Sequence, residues 1–131
     1  MKPSYLLDSS VCIPVLRNQA GLSKLPDPAL TGIPVIVAAE LWTGVKKNLT
    51  THPQQAAKLA AFLDLFVISD FTLDAAIHYA EIRAALEAAG TPIGPVDLFI
   101  AAQARSLRAT LVTADAGEFR LVKALKVLAW K

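Results

Sequence analysis

The 131 residues carry 13 basic and 11 acidic side chains, a net charge of +2, and 54% of them are hydrophobic. That balance excludes a disordered chain, and the length predicts a single domain over residues 1–131 with one buried core. No apolar run approaches the roughly 18 residues needed to span a bilayer, which excludes a transmembrane helix.

In chain order, "SYLLD" reads as a first strand ending at Asp8, with Ser9 or Ser10 capping a helix to about Asn18. An acid interrupts the start too early for a secretory signal, and a lone Cys12 makes no internal disulfide, so the expected compartment is the cytoplasm. Residues 21–32 hold Pro26, Pro28 and two glycines and read mostly as loop. "IPVIVAAELWTGVKKN" begins extended and turns helical through Val45. Leu59, Phe62, Leu63 and Phe66 recur at helical spacing, and "FVIS" follows as a second buried strand. A long helix is capped by Thr72 and closed by Gly90. Another runs from Pro95 to about Leu107, then come the strand "TLVT", a short helical turn and a last strand, "KVLAW". Short buried strands alternating with helices predict an α/β fold: a central, mainly parallel sheet flanked by helices.

In such sheets ligands bind outside the carboxyl ends of the strands, where Asp8 and Asp115 fall. Glu40 emerges from the apolar "VIVAA", and Asp97 opens a nearly all-apolar helix. If Gly94 is the N-cap, Pro95 takes the first helical position and Asp97 the third, where the helix dipole favours a carboxylate. Each acid alone has an ordinary structural explanation. Together, four carboxylates in apolar segments repel one another and resist burial unless a cation supplies the missing charge. An all-oxygen set without His or Cys suits Mg²⁺ or Mn²⁺ and not zinc. No phosphate-binding glycine loop is present, nor a G-x-S-x-G elbow, and His52 and His78 fit structural roles. Metal-assisted hydrolysis remains.

The blocks "YLLDSS", "VAAELWTGV", "YAEIRAALEAAGTPIGPVDLFIAAQA" and "TLVTADAGEF", in this order across the chain, resemble the PIN-domain ribonucleases. Within that family they are similar to the VapC-type toxins of bacterial toxin–antitoxin pairs. The resemblance implies a PIN-like fold and a catalytic, metal-binding set of Asp8, Glu40, Asp97 and Asp115, with Ser10 and Thr113 in support. Where many close relatives carry two asparagines this chain has Ala114 and Asp115, and Glu118 is the alternative fourth acid. It further implies a Mg²⁺-dependent endoribonuclease acting on structured RNA such as transfer RNA, usually a homodimer, neutralised by a cognate VapB-type antitoxin.

Charge agrees with an RNA partner. Residues 105–131 hold six basic groups against two acids, whereas residues 1–104 are net −2. Arg17, Lys46 and Lys47 join that basic end as candidate contacts to the RNA backbone. A phosphoacceptor receiver domain would want adjacent acids after the first strand, and a haloacid-dehalogenase-like phosphatase Asp-x-Asp; Ser9 and Ser10 break both patterns. A non-catalytic PIN-like binding module is the other alternative.

Overall fold

Parallel strands need crossovers of a dozen residues or more, and this sequence supplies them as helices between short apolar strands. The structure, a computed structural model, describes residues 2–131. Its strands are β1 (Tyr5–Leu7), β2 (Thr31–Pro34), β3 (Val67–Ser69), β4 (Thr110–Thr113) and β5 (Lys126–Ala129). They form one sheet in the order β3-β2-β1-β4-β5, every neighbouring pair parallel. The helices are α1 (Ser9–Leu16), α2 (Val35–Lys47), α3 (Gln55–Leu63), α4 (Leu73–Ala88) and α5 (Pro95–Leu107). The predicted parallel α/β sheet is what forms, and no described helix is long and apolar enough to cross a membrane.

The central strands are apolar on both faces because helices cover both. Leu6, Leu7, Ile33, Leu111 and Val112 are buried, as are Leu98, Ile100, Ala101, Ala102 and Ala104 of α5. β1 pairs with β2 on one side and β4 on the other, so the strand order reverses at β1. That switch point opens a crevice at the carboxyl ends of β1 and β4, immediately beside Asp8 and the residues after Thr113.

Gly32 allows β2 to pack closely at this centre. A Cβ there would lie 2.9 Å from Ser69 Oγ and 3.1 Å from both Leu6 Cδ2 and Pro3 Cγ. Gly32→Val is therefore expected to destabilise the fold by about 1–3 kcal/mol through overpacking. Urea denaturation checks this; an unchanged midpoint would show that the strand has room to spare.

Several local expectations are met and others corrected. Thr72 caps α4, accepting from Ala75 N–H at 3.2 Å, and Gly90 follows the helix at φ 73°. Gly94 is the N-cap of α5 with Pro95 next, as read from the sequence. The cap of α1, however, is Asp8 in extended conformation; Ser9 and Ser10 are already helical. The helix closes at Leu16, and Asn18 takes the left-handed conformation at φ 58°. Residues 21–32 are not all loop: they contain two 3₁₀ turns, Leu22–Lys24 and Pro28–Leu30, and the start of β2. The β-branched run after Pro34 is helical, with α2 reaching Lys47. "FVIS" is not a buried strand. Phe66 precedes β3, and Val67 and Ile68 are exposed because β3 is a sheet edge with β2 as its one strand neighbour. Trp130 lies just past β5, where its backbone N–H donates to Thr113 O at 2.8 Å.

Candidate active site

Asp8 is buried directly after β1, where the chain turns into α1. One carboxylate oxygen accepts the Ser10 hydroxyl at 2.5 Å and the other the Thr113 hydroxyl at 2.6 Å. Both protons are thereby committed to Asp8, so the 3.3 Å approach between the two hydroxyls is a contact without a proton to share. The same oxygens accept backbone donors in turn: Ala114 N–H reaches Ser10 Oγ at 2.9 Å and Asp115 N–H reaches Thr113 Oγ1 at 3.0 Å. The hydroxyls thus tie the end of β1 to the turn after β4 and fix the carboxylate's direction. Burial raises the Asp8 pKa above the ordinary carboxylate range, and the Ser10 and Thr113 hydroxyls oppose it.

Asp97 stands in the first turn of α5, half-buried. Its pKa is pushed up to about 7, first by burial, then by a hydrogen bond with the Glu118 side chain and by the negative charges of Glu118, Asp8 and Asp115. Neighbouring carboxyls resist ionising together unless an opposing charge stands between them. Glu40 projects from α2 and is exposed. Its pKa is also raised, by burial of part of the group and by Asp8, against a hydrogen bond from Ser9.

The fold therefore gathers Asp8, Asp97, Asp115 and Glu118 at the switch point and brings Glu40 alongside. Both candidates for the fourth acid are present: Asp115 is anchored to the Asp8 network by its backbone, and Glu118 stands near enough to Asp97 to help raise its pKa. Among the described residues no three His, Cys, Asp or Glu side chains are yet drawn close enough to enclose a metal ion. The chemistry of the set nevertheless fits a hard divalent cation. The donors are all carboxylate oxygens, and the repulsion by which Glu118, Asp8 and Asp115 raise the Asp97 pKa is what a cation would relieve.

Ser10, the serine that the resemblance placed in support, turns toward Asp8, while Ser9, named from the sequence as a helix cap alone, turns toward Glu40. Of the basic candidates, Arg17 lines a groove that Glu40 also lines, Lys46 sits 5.7 Å from the centre of the Trp42 ring, and Lys47 is exposed at the end of α2. Arg105, from the basic C-terminal stretch, is committed elsewhere. It donates to Glu81 at 2.9 Å, to His78 Nδ1 at 2.9 Å and to Lys123 O at 3.3 Å. His78 is accordingly an acceptor at Nδ1 with a structural role.

A parallel sheet whose switch point collects carboxylates, covered by small helices, defines the class of PIN domains, and the PIN family model matches residues 5–125. The chain belongs to that family, in its VapC branch. It is 34% identical to Ribonuclease VapC2 of Rickettsia felis, with 96% of this chain and 97% of that one covered. It is 28% identical to the tRNA(fMet)-specific endonuclease VapC of Salmonella typhimurium over the same shares of the two chains. Its backbone superposes on the structure of DNA-bound VapBC from Salmonella typhimurium with a TM-score of 0.90 at 29% identity, covering 98% of this chain and 99% of that chain.

Proposed function

We propose that the protein is a Mg²⁺-dependent endoribonuclease toxin of the cytoplasm, neutralised by a cognate VapB-type antitoxin. The observation that carries this reading is the gathering of Asp8, Asp97, Asp115 and Glu118 at the ligand-binding edge of the sheet, where burial and the neighbouring acids push the Asp97 carboxyl up to about 7. Such a cluster lacks a counter-charge, and a polyanionic substrate cannot approach it without one. Relatives named ribonuclease and endonuclease, and a solved relative in a VapBC assembly, agree with the reading.

Asp8 and Asp97 would hold Mg²⁺, or Mn²⁺ in its place, with Glu40 and Asp115 or Glu118 completing the set. When bound, the cation supplies Lewis-acid neutralisation of the phosphodiester and a more acidic water at neutral pH. Ser10 and Thr113 keep Asp8 oriented. Glu40, the exposed acid with a raised pKa, accepts the proton of the attacking water. Arg17, Lys46 and Lys47 bind the RNA backbone. The name of the Salmonella relative points to structured RNA, with transfer RNA the first substrate to try.

Incubation with bulk transfer RNA tests the assignment. Cleavage is expected with Mg²⁺ or Mn²⁺, to stop in EDTA, and to leave 5′-phosphate ends because water rather than the ribose 2′-hydroxyl attacks. Cleavage that persists in EDTA, or 2′,3′-cyclic phosphate products, would contradict it. The second reading, a PIN module that only binds, is favoured by the absence of a closed three-acid cluster among the described residues. Absence of cleavage under every metal would select it.

A second copy of the chain covers the exposed apolar face of α4. Leu73 is 79% exposed and Ile77 54%, one turn apart on one side of the helix. Sedimentation is expected to give a dimer for the wild type and a monomer for Leu73→Arg/Ile77→Arg. A wild-type monomer would reject this interface.

A further inference from the structure

We infer that the groove between α1, α2 and α3 is a nucleobase slot, which seats the base of a nucleotide next to the scissile phosphate. This rests on the ribonuclease reading above and adds the recognition of substrate to it. The groove encloses about 310 Å³ and runs up to the acids, because Ser9 and Glu40 form part of its lining. Its walls are the buried side chains of Leu41, Val45 and Leu59, and its rim carries Arg17, Lys58, Asn48 and Gln55.

That combination suits a base linked to a phosphate. Apolar walls accept the faces of an aromatic ring, the two amides can pair with its edges, and the cations meet the phosphate that follows. Among the described residues neither Arg17 nor Lys58 has an ion-pair partner, so both charges remain available to a polyanion. Asn48 is held on the groove wall by donating Nδ2–H to Gly44 O at 3.0 Å. The single acid on the rim, Glu40, lies toward the reacting end.

Gly44 explains how the slot stays open. It lines the groove one helical turn after Glu40, and a Cβ built there meets nothing within 4 Å. Leucine favours helix over glycine, so Gly44→Leu keeps α2 intact while placing a side chain in the slot.

The test uses the full-length isotope-labelled protein in EDTA, titrated with the four nucleoside 5′-monophosphates and with ribose 5-phosphate, and followed at the Gly44 and Asn48 amide resonances. At least one nucleotide is expected to bind roughly tenfold more tightly than ribose 5-phosphate, through the apolar walls and the two amides, and Gly44→Leu to remove that advantage. The same variant is expected to raise KM for bulk transfer RNA about tenfold in Mg²⁺ with little change in kcat. Equal binding of nucleotide and ribose 5-phosphate would overturn the slot, as would a Gly44→Leu variant that binds as the wild type does. So would a variant that cleaves RNA normally but escapes its antitoxin, which would make the groove a protein's seat. Base-dependent binding in EDTA by a wild type that cleaves nothing would leave the slot standing and reject the ribonuclease reading instead.

Discussion

Asp97→Asn is expected to abolish RNA cleavage and, in the absence of metal, to raise the melting temperature at pH 8. Burial and the neighbouring acids push the carboxyl up to about 7 in the fold, well above its value of 3.8 in an unfolded chain. Between those two pH values the folded state holds a proton that the unfolded state has lost, so stability falls as pH rises and the full penalty is present above about 7. Asparagine keeps the shape and removes the charge. A Coulomb repulsion of roughly 1 kcal/mol in water, or about 4 kcal/mol at an effective dielectric of 20, applies to a charge pair 4 Å apart. The helix-start preference lost with the charge is only about 0.3–1 kcal/mol. At pH 4 the two proteins should melt together, and at pH 8 in EDTA the variant should melt higher. Millimolar Mg²⁺ should then stabilise the wild type by mass action and the variant much less. A variant that melts lower in EDTA, or gains equally from Mg²⁺, would make Asp97 an ordinary helix-start acid.

Thr113→Val is expected to damage both stability and activity. Valine matches threonine in shape but cannot donate to Asp8 or accept from Asp115 N–H, so two polar groups lose a partner. The loss is about 1–3 kcal/mol for the buried one alone. Removing a donor that opposes the effect of burial lifts the Asp8 pKa further. Since a raised carboxyl withdraws stability as pH rises through its folded pKa, the deficit relative to wild type should be smallest near pH 4 and grow toward pH 8. The acid limb of the cleavage profile should move to higher pH for the same reason. Thr113→Ser, which keeps the hydroxyl, should recover most of both effects. Equal deficits at pH 4 and 8, or no recovery by serine, would reduce Thr113 to a packing residue.

Much of the frame was legible because its punctuation is local. Thr72, Gly90 and the Gly94–Pro95 pair mark helix ends by backbone chemistry that needs no tertiary partner, and the structure uses each as read. The site was legible as a set of acids at strand and helix termini, since the parallel sheet sends those termini to one edge. Misreadings arose where long-range contacts decide. Ser9 or Ser10 was expected to cap α1, but Asp8 does so by its backbone, and the Ser10 hydroxyl is taken up by the Asp8 carboxylate beside that of Thr113, more than a hundred residues away. Val35, Ile36 and Val37 favour strand, yet Pro34 ends β2 and the core face of α2 claims Val37. Val67 and Ile68 look like core residues, but their strand lies at the edge of the sheet, a position fixed by topology and not by composition. Whether Asp115 or Glu118 stands by Asp97 was open for a similar reason, and the turn after β4 brings both.

The most direct measurement is a carbon NMR titration of the Asp97 carboxyl in the full-length protein, without metal and with saturating Mg²⁺. Without metal the midpoint should lie near 7, and Mg²⁺ should bring it back to the ordinary aspartate range or below, as the cation supplies the missing positive charge. A midpoint near 4 that Mg²⁺ leaves unmoved would contradict the claim that these acids form a site in want of a cation.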